Sequence, residues 1–408
     1  MSAQQDLEAG ATLSGIFWPA GTDLGTPGVL SWSDELGARL QLTVLDDPWP
    51  TDFNRLFTIH AQLHGYIGTP LTLMQSRVTR KMNLNQPAEV AAQTLAFGAH
   101  TDLEERWPVA NFMPYGLHEW YPETGLSIKY RDKRLRQPQV SWKPPKAIKI
   151  PIPGARITLQ PGAGWGWGFG PGWRIDTTLC FTVRPDKALT LNDFWREYRS
   201  PLLAFVMFAS DRPDDLRRES YYNARKKRQI VVLHASRQVY DYDWRPNDGH
   251  YLFKAENIDS EVEVIQRWMA VWRRVDPALG YFGEYIAGGN AYSPDRFLAL
   301  CKTAENYWKR VTGERNWKLA KLCARAAIHD EVSHCDKDAI ALMGQLRNYH
   351  GHLSDDLRLT PEEISDGTFV STRRLYLLMQ ACLLRELGLE TDRIEELIQL
   401  HYRSWPVP

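Results

Sequence analysis

A chain of 408 residues is long enough for two or three cored domains, and 43% hydrophobic content with 16 Trp fits globular packing with many aromatic anchors. Lys+Arg and Asp+Glu both total 49, so the formal net charge is zero and coating of nucleic acid by bulk charge is excluded; any RNA contact must come from a local patch. The five cysteines, Cys180, Cys301, Cys323, Cys335 and Cys382, are odd in number and lack C-x-x-C spacing, which argues against a disulfide framework and for a reducing, cytoplasmic setting.

Met1 to Gly10 is polar and acidic without an apolar run, so no signal peptide is expected. The most apolar stretch, Leu202 to Ala209, is too short to span a bilayer, and no membrane partner is expected. From Leu13 to about Ile150 the pattern is short strands punctuated by Gly15, Gly21, Gly25, Gly28 and Gly37. Strands are predicted at Val29–Trp32, Arg39–Val44, Phe57–Leu63, Leu71–Val78, Gln93–Phe97 and Leu126–Tyr130, giving a β-sandwich or barrel-like region. Trp18, Trp32, Trp107, Trp120 and Trp142 read as core and strand-face aromatics.

Pro144-Pro145 and Pro151 to Gly154 form a stiff connection, marking a sub-boundary near 145–155. Gly162 to Trp173 alternates glycine with aromatics; it reads as an irregular loop that either folds its rings over a sheet or grips a ligand. Leu179–Val183 resumes strand character. Asn192 is a candidate cap for a helix from Asp193 through Phe208, which Pro201 must kink or break. Arg217-Arg218 and Arg225, Lys226, Lys227 and Arg228 form the strongest basic cluster, with Tyr221-Tyr222 between them. Cations interleaved with aromatics suit single-stranded RNA, while charge runs are usually solvated surface, and both readings stand. Gln229–His234 is a further strand, with Tyr251–Phe253 as its expected partner.

Ser260 and Glu263 have capping-box spacing and open a helix to Arg274, ended by Asp276-Pro277. Helices follow at Pro294–Val311, Asn316–Ile328, Lys337–His352, Thr372–Leu387 and Asp392–His401. Thr360-Pro361-Glu362-Glu363 looks like a helix start, and short linkers imply a bundle of antiparallel neighbours. The expected class is α+β, a β-rich N-terminal region (1–275) followed by an all-α bundle (276–408).

Within the bundle, Gln345 to His352 contains the order Arg-Asn-x-x-x-His, from Arg347 to His352. The bare spacing recurs at Arg55 to His60, inside a strand, and at Arg245 to His250, across a turn. Only Arg347 sits on a helical apolar period, with Ala339, Leu342, Met343, Leu346 and Leu353 on one face. At about 100° per residue, Asn348 and His352 share a face opposite that stripe, and Arg347 lies on the flank. Either the helix ends or distorts at Gly351, or a second copy of the chain completes the cleft. His350 falls back toward the Leu346 face as a packing or secondary residue. Glu305, among apolar neighbours on its helix, is a candidate acidic partner for Arg347. His329, His334, Cys335, His350 and His352 crowd one domain, but none has zinc-finger or H-E-x-x-H spacing, so no metal is assigned. No nucleotide-loop or G-x-S-x-G motif occurs, and no cofactor is expected.

An Arg-[polar]-x-x-x-His motif late in a helix of a small helical domain resembles the HEPN superfamily of ribonucleases. Leu13-Ser14-Gly15-Ile16-Phe17-Trp18-Pro19, Pro27-Gly28-Val29-Leu30, Leu40-Gln41-Leu42 and Ile59 to Gly65 followed by Pro70-Leu71-Thr72-Leu73 resemble the N-terminal domain of ApeA-type antiphage proteins, which carry a C-terminal HEPN domain. The resemblance covers both ends of the chain. It implies an endoribonuclease of abortive-infection defence, with transfer RNA as substrate and a homodimer or higher homo-oligomer as the working form. The N-terminal region would sense a phage-encoded trigger protein or restrain the nuclease. It further implies His352 as the proton-transfer residue, Arg347 as the group that stabilises charge, and Asn348 as an orienting side chain, with no metal required. A competing reading from another class is a non-catalytic binding protein whose bundle only dimerises.

Overall fold

The computed structural model describes residues 2–43, 49–50, 52–66, 68–80, 87–123, 125–130, 138–167, 173–235, 251–287, 293–352 and 359–402. After a short capped helix, α1 (Ala3–Glu8), come six strands: β1 (Leu13–Pro19), β2 (Thr26–Ser33), β3 (Gly37–Leu42), β4 (Phe57–Leu63), β5 (Pro70–Arg80) and β6 (Ala88–Ala92). They pair antiparallel in the order β5-β4-β1-β2-β3-β6, and β6 pairs back onto β5, so the sheet closes into a six-stranded barrel. Period-2 alternation sends Phe17, Leu30, Leu40, Ile59, Ala61, Leu71 and Val90 inward, where they are buried. Two glycines meet neighbouring backbone too closely for a side chain. A Cβ on Gly15 would lie 2.6 Å from Gln62 O, and one on Gly28 would lie 2.8 Å from Gln41 O.

Closure depends on β5. Its first half, Leu71 to Met74, pairs with β7 (Thr94–Phe97), whereas Arg77 to Arg80 pair with β6. Gln75 lies between the two ladders with φ of 55°, a left-handed residue that lets the strand change partners. Past β7 the same sheet continues through β8 (Val109–Pro114), β11 (Ile148–Ile152), β12 (Ala155–Trp167), β13 (Trp173–Pro185), β14 (Leu216–Asn223) and β15 (Arg228–His234). Counting outward from β5, the order is β7-β15-β14-β8-β13-β12-β11. A short helix α2 (Leu117–Trp120) and a separate hairpin, β9 (Leu126–Tyr130) with β10 (Pro138–Trp142), lie in the β8–β11 connection. The strands predicted from alternation are present, and the barrel alternative is the one adopted.

Three expectations are corrected. The glycine–aromatic stretch is not an irregular loop where it is described: residues 162–167 continue β12 and pair in register with 173–178, while 168–172 lie outside the described residues. Tyr251–Phe253 form no strand. Leu252 and Phe253 are buried against helices, the Phe253 N–H donating to Ala209 O at 3.3 Å, and β15 pairs with β7 and β14 instead. The cap of the next helix is Thr190, whose Oγ1 accepts from Asp193 N at 3.2 Å, not Asn192. That helix is α3 (Leu191–Phe194) running through a π turn at Trp195–Arg199 into α4 (Ser200–Ser210). Pro201 has no N–H and a bulky ring, and widening the preceding turn absorbs it without a break.

The C-terminal region is helical: α5 (Glu261–Val275), α6 (Ala278–Ala287), α7 (Pro294–Thr312), α8 (Leu319–Ala326), α9 (Asp330–Ser333), α10 (Lys337–His352), α11 (Pro361–Glu386) and α12 (Thr391–Tyr402). Helix α6 has no counterpart in the sequence reading. Ser260 caps α5 by accepting from Glu263 N at 3.3 Å. One apolar core runs from the sheet (Phe112, Phe181) through α4 and α5 into α7 and α11; Trp268 stacks on Phe208 with ring centroids 5.4 Å apart. At the left-handed C-cap of α4, Asp211 Oδ1 accepts from the Tyr376 hydroxyl and from Gln380 Nε2 at 2.9 Å. Its Oδ2 meets His401 Nε2 at 2.7 Å, so one carboxylate ties α4 to α11 and α12.

Candidate active site

Helix α10 carries the motif. Asp336 begins it, its Oδ1 accepting from Ala339 N at 2.8 Å. Ala339, Met343 and Leu346 form its buried stripe. On α11, Gly367 allows close approach: a Cβ there would sit 3.3 Å from Leu346 Cδ1 and 3.6 Å from Leu342 Cδ2. On the other side Gly351 faces Leu298 of α7. Helical hydrogen bonding extends one residue past Gly351 to His352, the last described residue of α10.

Arg347 leaves the flank of α10 toward α7. Its Nη2 donates to Glu305 Oε2 at 3.1 Å, and its guanidinium carbon lies 5.2 Å from the ring centroid of Trp317, in the α7–α8 connection. The other oxygen of Glu305 accepts from Lys309 Nζ at 2.7 Å, one turn along α7. The Lys309 hydrogen bond, with a further contribution from Arg347, holds the Glu305 carboxyl below the usual carboxylate range. The trio therefore carries two positive charges against one negative. The Arg347 side chain is 40% exposed. One turn before Glu305, burial pushes the Cys301 thiol up to about 12, which makes it a packing group rather than a nucleophile.

Asn348 is exposed. His350 turns to α11, where its Nε2 lies 2.8 Å from Thr368 Oγ1, and its ring packs edge-on to Phe297. Thr368 spends its only hydroxyl proton on Ile364 O at 2.6 Å, so His350 must donate and its neutral form carries the proton on Nε2. Burial lowers its pKa and keeps it neutral. The backbone of His352 is the last residue of α10, and its side chain lies outside the described residues. Among the described residues, no three His, Cys, Asp or Glu side chains form a metal-binding group.

The basic cluster lies on the β14–β15 hairpin. Arg225, Lys226 and Lys227 are exposed around its turn. Arg228 points inward: Nη1 meets Glu105 Oε1 at 2.5 Å, Nη2 donates to His100 O, and the group lies over Trp107. Lys226 leans on the same Glu105 carboxylate at 3.9 Å. The four cations therefore do not form one uniform patch.

A family model described as ApeA N-terminal domain 1 matches residues 12–268, more than half of the chain. The chain belongs to the ApeA N-terminal domain family. This membership suggests an antiphage defence protein. The match takes in the barrel, the sheet behind it, α3, α4 and the first half of α5. No curated protein and no solved structure matches the chain. Among the described residues, no helix is long and apolar enough to cross a membrane.

Sequence reasoning paired Arg347 with Glu305 but missed Trp317 and Thr368. Trp317 falls in the predicted helix Asn316–Ile328, but α8 begins only at Leu319 and leaves it in the six-residue connection from Gly313 to Lys318. Thr368 is one of several hydroxyl residues on α11, and only the packing of α10 picks it out.

Proposed function

We propose that this ApeA-family chain is a HEPN-type endoribonuclease of antiphage defence, cleaving RNA within its C-terminal helices. The observation that carries the proposal is Arg347. It is anchored by Glu305 yet 40% exposed, on the same helix that presents Asn348 to solvent and ends at His352. In the proposed reaction the ribose 2′-oxygen attacks the adjacent phosphorus and the 5′-oxygen leaves. His352 moves the proton, taking it from the 2′-hydroxyl or giving it to the leaving oxygen. Arg347 balances the charge that gathers on the phosphorane-like transition state. Asn348 orients the phosphate or the imidazole by hydrogen bonding. The products are a 2′,3′-cyclic phosphate and a 5′-hydroxyl, so the substrate must carry a 2′-hydroxyl. Transfer RNA is the substrate class proposed, and no metal takes part.

Arg347 and His352 stand five positions apart on α10, well over a right angle around one helix at about 100° per residue. A homodimer, with α10 of a second copy facing the cleft, is the arrangement proposed to complete the site. The N-terminal region is proposed to sense a phage-encoded protein, with Arg225 and Lys227 available to RNA at the hairpin turn.

Sequencing of RNA ends from phage-challenged cells tests the reading. The native chain should generate new 2′,3′-cyclic phosphate ends, and Arg347→Ala and His352→Ala should each reduce them by on the order of 10²- to 10⁴-fold. Protection that survives both substitutions, or occurs without such ends, would instead favour a non-catalytic binder.

A further inference from the structure

Glu305 alone does not explain how Arg347 is aimed. A guanidinium opposite a lone carboxylate tends toward a two-pronged contact that occupies a whole edge. Here the two oxygens are divided, Oε1 to Lys309 at 2.7 Å and Oε2 to Arg347 at 3.1 Å, so Arg347 gives only one N–H. A single hydrogen bond leaves the guanidinium plane free to swing about it. The guanidinium also lies over the indole of Trp317, its carbon 5.2 Å from the ring centroid.

We propose that Trp317 is a positioning residue for Arg347, holding the guanidinium plane so that the N–H groups not given to Glu305 face the RNA phosphate. The inference rests on the ribonuclease reading above. Trp317 does not touch substrate in this account; it acts through Arg347. A second feature supports its being kept for its ring. The Trp317 Nε1 is buried and has no hydrogen-bond partner among the described residues. A buried N–H without a partner is unfavourable, and a phenyl ring would avoid that cost. The indole in return offers the strongest aromatic face for a cation. Lys309 contributes as well: by taking one oxygen of Glu305 it leaves the trio with a net positive charge toward an incoming phosphate.

The test uses full-length protein purified from phage-challenged cells, acting on total cellular transfer RNA and on a synthetic single-stranded RNA. Initial rates of cyclic phosphate formation are measured for the native chain, Trp317→Leu, Trp317→Phe and Arg347→Ala. Loss of the cation–π contact in Trp317→Leu should lower kcat by about 2- to 30-fold, with KM changed far less, because the charge on phosphate builds in the transition state. Trp317→Phe should recover most of kcat, since it keeps an aromatic face, though a smaller one than the indole, and sheds the unpaired N–H. Thermal melts show that both variants are folded at the assay temperature, separating aim from folding. A native kcat in Trp317→Leu, or an equal loss in Trp317→Leu and Trp317→Phe, overturns the role of Trp317. Absence of cyclic phosphate formation by the native chain would overturn the ribonuclease reading, and native-rate cleavage by Arg347→Ala would remove Arg347 from the site; an inactive Arg347→Ala beside a fully active Trp317→Leu sinks only the positioning claim.

Discussion

The six-stranded barrel and the sheet behind it share strand β5, but the two regions bury their apolar surface in different ways. The barrel encloses its own cluster, with Phe17, Leu30, Leu40 and Ile59 fully buried and its sheet closed on itself. Behind it, strands β8 and β11–β14 have no partner sheet among the described residues. They pack on α4 and α5, which pack in turn on α7 and α11, so that strands and C-terminal helices share a single core. The family match ends at residue 268, and Trp268, 1% exposed, lies in the middle of that core. A boundary recognisable in sequence need not be a boundary in packing. Closure lets the barrel stand by itself, whereas an open sheet needs the helices to cover its apolar face.

The comparison can be broken by paired core substitutions, where the largest effects are expected. Phe17→Ala and Trp268→Ala should each cost about 3–5 kcal/mol. Hydrogen exchange should then loosen only residues 13–97 in Phe17→Ala, but β8, β13, α7 and α11 together in Trp268→Ala. Loosening that spreads through both regions in either variant would erase the distinction.

A second prediction concerns acid. Glu219 on β14 is fully buried, where burial by itself would raise its carboxyl. His234 at 2.9 Å and Arg199 at 2.9 Å outweigh burial, with the Tyr221 hydroxyl assisting, and hold it at about 2 against an ordinary 4.5. A folded-state pKa below the unfolded one stabilises fully above about pH 4.5, and that contribution fades as pH falls toward about 2. The stabilisation is roughly 3 kcal/mol. Urea unfolding across this range should show a steep acid limb in the native chain and a flatter one in Glu219→Gln. Hydrogen exchange should place the acid-induced loosening behind the barrel rather than inside it. Equal acid sensitivity of the two proteins would remove Glu219 from the account.

The smallest effect sharpens the link between the family region and the last helices. Asp211→Asn should destabilise by about 2 kcal/mol, because Gln380 and Tyr376 lose a charged acceptor and His401 loses its contact with the carboxylate. Exchange should rise first in α12, whose His401 depends on that carboxylate. An unchanged unfolding midpoint would mean that apolar packing alone holds α12.

Elements governed by short-range periodicity were legible in the chain itself. Phe57 to Leu63 alternates and forms β4; Ala339, Met343 and Leu346 recur at helical spacing and form the buried face of α10; Ser260 stands three residues before Glu263 and caps α5. Arg347, Asn348 and His352 were equally legible as a spaced set on one helix, as was Glu305 as an acidic partner. What remained hidden depends on neighbours far along the chain. The change of partners at Gln75 that closes the barrel, the recruitment of Leu252 and Phe253 to helices, and the strand pairing of Gly162 to Trp167 follow no local pattern. The same holds for Trp317 against Arg347 and Thr368 against His350, each brought together only when α7, α10 and α11 pack. Periodicity records which face of an element is apolar, and local hydrogen bonding records where it starts. Which side chains meet across elements is settled by the packing of whole elements, and that is where the surroundings of Arg347 were decided.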